Sequence, residues 1–244
     1  MKLTVLGNNG PFPGAGGACS GYLIQEGGVN ILLDCGNGVL GNLQKFISLK
    51  ELDAIILTHL HSDHISDMMV LRYWVQIKKN RGEINSPIKV FAPNEPADEL
   101  ARLDIKGIFE LETVSEDTEL SFGGLDITFS PMKHPIKCYA VSIKNESRHF
   151  VFSGDTAWNT NIIDFSKNAD VIMLDSGLLA RDKASNDVPH LTAGECGLVA
   201  AQAGAKRLLL THFWPEYDLN ELLEEAKQSF QNTQLAQLLG VYEI

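Results

Sequence analysis

The segment Thr58-His59-Leu60-His61-Ser62-Asp63-His64 gathers three imidazoles and a carboxylate directly behind the apolar run Ala54–Leu57. A short apolar run bounded by polar residues fits a buried strand, which puts the cluster on the loop leaving the strand's carboxyl end. Neutral imidazole and carboxylate are the donors that borderline divalent ions such as zinc prefer. A loop aims consecutive side chains in different directions, and the adjacent pair Asp63 and His64 cannot easily face the same way as His59 and His61. Two neighbouring ions are the natural outcome of that spacing.

On either side of this segment, β-branched and apolar runs recur between glycine, proline and asparagine. They predict strands over Leu3–Gly7, Tyr22–Gln25, Asn30–Asp34, Ala54–Leu57, Ile88–Ala92, Leu125–Phe129, Ala140–Lys144, Phe150–Ser153, Val171–Asp175 and Arg207–Thr211. Apolar residues returning every three or four positions predict helices over Val39–Phe46, Asp67–Lys79, Glu95–Leu103, Asn161–Ser166, Thr192–Ala203 and Leu219–Gln231. The fifth helix opens on a capping box, Thr192 with Glu195. The early part reads as a strand-rich meander and the later part as alternating strand and helix. No Pro/Ser-rich linker, charge block or internal repeat separates them, so residues 1–244 read as a single α/β domain. The helix Asp67–Lys79, with Met68, Met69, Leu71, Trp74 and Val75, is more apolar than one buried face needs and suits either core or a dimer surface.

With 244 residues, 44% hydrophobic and 21% charged, the chain can bury a core without disulfides, and its composition excludes disorder. A net charge of −11 argues against gripping bulk nucleic acid through a basic face. The densest basic cluster, Lys78, Lys79 and Arg81, reads as a solvated helix end. Cys19, Cys35, Cys138 and Cys196 lie far apart with no CxxC pair, as reduced thiols do. The apolar stretch in MKLTVLGNNG is too short for a signal peptide or a membrane span, so a cytoplasmic protein with no membrane partner is expected.

His-x-His-x-Asp-His behind an apolar strand resembles the metallo-β-lactamase superfamily of binuclear zinc hydrolases, and the resemblance extends over nearly the whole chain. The later family positions match His134 in Met132-Lys133-His134-Pro135, Asp155 in Ser153-Gly154-Asp155-Thr156, and His212 in Leu210-Thr211-His212-Phe213. The resemblance implies an αβ/βα four-layer sandwich with the metals at the sheet edge. It implies His59, His61 and His134 on one metal, Asp63, His64 and His212 on the other, and Asp155 bridging. The cofactors it implies are two Zn2+ ions, with Mn2+ as the alternative. His61, where oxygen-reducing diiron relatives place Glu, argues for zinc.

His190, in Val188-Pro189-His190-Leu191-Thr192-Ala193, lies two residues before a helix N-cap. It reads either as a capping neighbour or, by resemblance to the ribonuclease Z-like phosphodiesterase branch, as the group that protonates the leaving oxygen. That branch makes Asp63 and His190 the catalytic residues. Asp34 in Leu33-Asp34-Cys35-Gly36 and Asp175 in Leu174-Asp175-Ser176 each fit a turn or a carboxylate that orients a ligand histidine. Cys35 and Cys138 flank these motifs as buried thiols. Six of the seven histidines find a role in this scheme, and His149, beside Arg148, is left as ordinary surface.

Two divalent cations against Asp63 and Asp155 leave about +2 in the site, which attracts a small anionic substrate. Metals held about 3.5–4 Å apart make a bridging hydroxide available near neutral pH. The expected function is hydrolysis of a small phosphodiester, a cyclic nucleotide or a short nucleic-acid end. The alternatives are a zinc hydrolase of a lactone, thioester or lactam, a tRNA 3′-processing nuclease, and a non-catalytic metal-binding module. Against the nuclease stand the short interval between His134 and Asp155, which leaves no room for a tRNA-gripping arm, and the loop Phe12–Ala18, which lacks a Lys/Arg pair. Because the relatives often pair, a homodimer is expected.

Overall fold

The central strands are apolar on both sides, as in Ala54-Ile55-Ile56 and Leu208-Leu209-Leu210, and such strands need cover on both faces of their sheet. The computed structural model, which describes residues Met1–Ile244, supplies it with two seven-stranded mixed sheets packed face to face and helices outside each. In the first sheet β1 (Lys2–Gly7), β2 (Gly21–Glu26) and β3 (Val29–Leu33) run antiparallel. From β3 the pairing turns parallel through β4 (Ala54–Ile56), β5 (Ile88–Pro93) and β6 (Phe109–Val114). The second sheet repeats that plan. Strands β7 (Glu119–Phe122), β8 (Leu125–Pro131), β9 (Tyr139–Lys144) and β10 (His149–Phe152) are antiparallel, and β11 (Val171–Asp175), β12 (Leu208–Thr211) and β13 (Thr233–Leu235) continue in parallel. Strand β14 (Val241–Glu243) returns to pair with β1.

The period-2 alternation of a strand sorts each sheet's side chains into two layers. Leu3, Val5, Tyr22, Ile24, Ile31, Leu33 and Ile56 face inward and meet Ile127, Val141, Ile143, Phe150, Phe152 and Met173 of the other sheet in one core. Leu6, Leu23, Leu32, Ile55, Leu57 and Val90 face outward, under α1 (Val39–Leu43), α3 (Met68–Asn80) and α4 (Ala97–Leu103). On the far side Val151, Ile172, Leu174, Leu208 and Leu210 pack under α5 (Asn161–Phe165), α6 (Ala193–Ala203) and α7 (Leu219–Lys227). Tyr22 joins the sheets through polar atoms as well: its buried hydroxyl lies 2.7 Å from Thr211 Oγ1, and its ring meets Phe152 edge-on at 4.8 Å.

All ten predicted strands and all six predicted helices form, with ends shifted by a few residues. The capping box forms too, Thr192 accepting from Glu195 N while Glu195 accepts from Thr192 N. Four strands escape the sequence reading, β6, β7, β13 and β14, and each lies at a sheet edge. The expected division into an early meander and a later alternation is corrected: each half contains an antiparallel set followed by a parallel one. The motif segment also contains a single helical turn, α2 (Ser62–Ile65), too short for any periodicity to show. On α3, Met68, Leu71 and Val75 are buried while Val70, Tyr73 and Ile77 are exposed. No helix is long and apolar enough to cross a membrane.

Candidate metal centre

Loops leaving six strand ends converge on one edge of the sandwich. The loop after β4 carries His59 and His61, and its path is fixed by Asp34, which lies just past β3. Thr58 N donates to Asp34 Oδ1 at 2.8 Å and Thr58 Oγ1 donates to Asp34 Oδ2 at 2.9 Å. With its one proton committed to Asp34, Oγ1 accepts from His59 Nδ1 at 3.1 Å, so the lone pair of His59 sits on Nε2. The turn α2 swings His64 back toward β3, where Nδ1 donates to Asp34 Oδ2 at 2.7 Å and frees Nε2 for the site interior. His134, after β8, donates from Nδ1 to the Pro189 carbonyl at 3.2 Å and brings Nε2 to 3.1 Å from His61 Nδ1.

Asp155 sits after β10 on a turn that favours glycine at position 154, where φ is +59° and an added Cβ would lie 3.0 Å from both Cys138 Sγ and Thr58 Cβ. Its Oδ2 is 3.2 Å from His212 Nε2 and 3.7 Å from His59 Nε2, and its Oδ1 is 3.3 Å from His64 Nε2. His212, after β12, adopts φ +59°, and Asp34 adopts +57°. Left-handed backbone at a non-glycine residue costs on the order of 1–3 kcal/mol and persists where the surroundings impose it, typically at functional sites. His212 Nε2 also lies 3.3 Å from Asp63 Oδ2.

The seven predicted ligands therefore come together, and in two groups. The donor atoms of His59, His61 and His134 lie within 4.8 Å of one another, as do those of Asp63, His64, Asp155 and His212. His59, His64, Asp155 and His212 are almost fully buried. His59 Nε2, His64 Nε2 and Asp155 Oδ1 have no hydrogen-bond partner in the protein. Orphaned buried polar atoms are costly, and here they face a common centre, which is the arrangement a cation would satisfy once any proton on them has left.

The protonation pattern of the centre follows from the same geometry. Burial pushes Asp155 up, but the His212, His64 and His59 rings outweigh it and hold the carboxyl well below the usual range. Burial lowers His64, yet Asp155, Asp34 and Asp63 raise it well above an ordinary histidine; for His212, Asp155 and Asp175 do the same. His59, His61 and His134 are lowered, chiefly by burial. One group offers neutral imidazoles outright and the other would exchange protons for a cation.

Above the ligands, His190 Nδ1 donates to Asp175 Oδ2 at 2.8 Å, and its ring stacks on His212 with centroids 5.1 Å apart. Asp175 is wholly buried at the end of β11, with Oδ1 accepting from Gly177 N at 2.9 Å and facing His212 Nδ1 at 3.4 Å. Burial lowers His190, but Asp175 raises it further, so the ring is a stronger base than free histidine. Both residues left open between turn and orienting carboxylate, Asp34 and Asp175, thus hold a histidine by Nδ1. The cavity over the centre has a volume of about 330 Å³ and is lined by Pro11, His61, Ser62, Asp63, His134, Pro135, Asp155, Pro189 and His190. No lysine or arginine lines it; the nearest in sequence, Lys133, turns its Nζ to the Asn186 carbonyl at 3.3 Å.

The sequence reading missed three supports. Thr58 brackets Asp34 to His59. Gly10 packs on the His212 ring so closely that a Cβ there would sit 2.0 Å from Nε2. Phe12 and Trp214 form an aromatic pair beside it. The glycine-rich run Asn8–Ala18 was the available signal, since close backbone approach calls for glycine. His149, expected as ordinary surface, is half-buried at the start of β10, with Nε2 2.9 Å from Ser142 Oγ. All four cysteines are free and buried.

Comparison with known proteins identifies the family and the fold. Residues 29–213 match the model of the beta-lactamase superfamily domain. The probable metallo-hydrolase YhfI of Bacillus subtilis is 34% identical over 231 residues, 94% of each chain. Its crystal structure, a metallo-beta-lactamase fold protein, superposes with a TM-score of 0.92 at 33% identity over 99% of each chain. Ribonuclease Z of Archaeoglobus fulgidus is 24% identical over 303 residues, 97% of this chain and 95% of the relative. A diphosphatase of the PhnP family shares the fold, with a TM-score of 0.75 at 20% identity over 100% of this chain and 97% of that one. The chain belongs to the metallo-β-lactamase superfamily and is a hydrolase of that fold with clusters able to bind metal.

Proposed function

We propose that this member of the superfamily is a binuclear zinc-dependent phosphodiesterase, working as one cytoplasmic domain on a small, singly charged phosphodiester. The observation that carries the reading is the His190–Asp175 dyad set above a seven-ligand centre in a cavity without lysine or arginine. Zinc suits a donor set of five imidazoles and two carboxylates, with manganese the alternative. His59, His61 and His134 would hold one ion and Asp63, His64 and His212 the other, with Asp155 between them. Bound there, the two cations supply Lewis acidity toward phosphoryl oxygens and the acidification of water.

The chain's own residues account for the rest. Asp175 fixes the His190 tautomer and stabilises its imidazolium, so a proton is held on Nε2 toward the cavity for delivery to the leaving oxygen. Asp34 and the Pro189 carbonyl fix His64 and His134 by their outer nitrogens, which keeps the donor atoms aimed inward. Pro11, Pro135 and Pro189 give the cavity stiff walls. A site lacking lysine and arginine suits one negative charge better than the several of a diphosphate. The names of two relatives support phosphoryl chemistry, a ribonuclease and a diphosphatase. Against tRNA processing stands the stretch between His134 and Asp155, taken up by the hairpin β9–β10. Four free cysteines support a reducing compartment.

Zinc-loaded protein is expected to hydrolyse bis(p-nitrophenyl) phosphate, and His61→Ala or Asp155→Ala to abolish turnover. His190→Ala should retain metal and lose rate. Lactam or lactone hydrolysis with no activity on the diester would replace this reading.

A further inference from the structure

Close along the chain to the residues of the centre stand two aromatic rings that the hydrolytic chemistry does not use. Phe12 and Trp214 meet edge to face, with centroids 5.1 Å apart and planes at 80°, and Phe12 is 41% exposed. Both are tied to the centre by very short lengths of chain. Trp214 lies two residues beyond His212. Phe12 follows Pro11, which lines the cavity, and lies two residues beyond Gly10, which touches the His212 ring. Two extended residues reach at most about 7 Å, so the pair cannot stand far from the reacting centre.

The main chain clamps the two segments together. Gly10 N donates to the Phe213 carbonyl at 3.1 Å, Phe213 N donates to the Asn8 carbonyl at 2.8 Å, and Asn9 Nδ2 donates to the same Phe213 carbonyl at 3.4 Å. Trp214 Nε1 donates to Glu216 Oε2 at 3.4 Å, which restrains the indole. Rings near right angles form a corner, and Phe12 keeps part of its surface in solvent there. The cavity lining itself offers a phosphoryl group imidazoles, carboxylates and prolines but no phenyl, phenol or indole ring. A planar group attached to a phosphate bound there would find a phenyl and an indole ring at this corner.

We propose that Phe12 and Trp214 form a stacking platform for a nucleobase, which makes them specificity-determining residues of the site. This rests on the phosphodiesterase reading above. Stacking of a base on an aromatic side chain is sequence-tolerant and amounts to a factor of about 5 to 150 in affinity.

The test compares thymidine 5′-(p-nitrophenyl phosphate) with methyl p-nitrophenyl phosphate on the zinc-loaded full chain. The two share a leaving group, so the ratio of their kcat/KM values reports the nucleoside alone. A platform gives the wild type a ratio of about 5 to 150, and Phe12→Ala or Trp214→Leu brings it toward one. A merely structural role would lower both rates and keep the ratio, and that result, or a wild-type ratio near one, overturns the proposal. A second readout needs no turnover: adenosine 5′-monophosphate should quench tryptophan emission where ribose 5-phosphate does not, and Trp214→Phe should remove the difference. Cleavage of neither diester defeats the phosphodiesterase reading, and the quenching titration then decides the platform by itself.

Discussion

Replacing Asp175 by Asn removes one charge from the site at nearly constant volume. The carboxylate uses both oxygens: Oδ2 accepts from His190 Nδ1 at 2.8 Å and Thr156 N at 3.2 Å, and Oδ1 accepts from Gly177 N at 2.9 Å. An amide has one acceptor, so in either orientation its NH2 group confronts donors that the carboxylate satisfied. Losing a charge-assisted hydrogen bond and leaving buried donors unpaired costs about 1.5–3 kcal/mol, or roughly 10- to 150-fold in rate at about 1.4 kcal/mol per decade. We expect kcat on bis(p-nitrophenyl) phosphate to fall by that factor with KM little changed. Because Asp175 raises His190, and a general acid loses activity as pH rises through its pKa, the alkaline limb of the kcat profile should move to lower pH. In the His190→Ala background the same substitution should cost little more, since the two residues act as a unit. Independent, multiplying losses in that double-mutant cycle, or an unmoved alkaline limb, would refute the dyad.

Three further outcomes follow from other parts of the molecule. Gly10→Ala places a methyl 2.0 Å from His212 Nε2, so the purified variant should lose bound zinc relative to wild type when both are assayed by elemental analysis; full stoichiometry would show that the N-terminal loop yields freely. Removing metal should lower thermal stability, because a cation that binds only the native state stabilises it by about 4 kcal/mol at a thousandfold excess over its Kd; calorimetry with and without chelator measures this, and coincident transitions would count against a resident ion. Burial, with Lys144 nearby, lowers His149 to about 4, whereas an unfolded histidine titrates near 6.5. Its contribution is therefore complete above about pH 6.5 and lost as pH falls toward 4; with the ring half exposed, the loss is on the order of 1 kcal/mol. Urea midpoints of wild type should accordingly drop more over that interval than those of His149→Gln, and parallel pH slopes would dismiss the effect.

What could be read from the chain, and what could not, divides along physical lines. A strand buried on both faces announces itself, because its interior positions must be apolar; β4, β11 and β12 are such strands, and His59, Asp175 and His212 sit at or just beyond their ends. An edge strand has no such obligation. In β6 (Phe-Glu-Leu-Glu-Thr-Val) and β7 (Glu-Leu-Ser-Phe) the outward residues are charged or polar, and pairing is imposed by the neighbour already in place. The supporting contacts were hidden for a different reason. Asp34 holds His64 thirty positions away and Asp175 holds His190 fifteen away, distances at which nothing local links the partners. Either carboxylate alone fits a turn equally well. The ligand set is local to strand ends and therefore legible, while the bonds that aim it exist only once both sheets have closed. The strain at Asp34 and His212 belongs to that second category. A left-handed aspartate and a left-handed histidine are unfavourable where they stand, and each is held by contacts from distant segments, Thr58 and His64 for the first, Gly10 and Asp175 for the second. Substitutions at Thr58 or Gly10 should therefore disturb metal binding before they disturb the fold, since the sandwich core lies beneath the loops and shares none of these bonds.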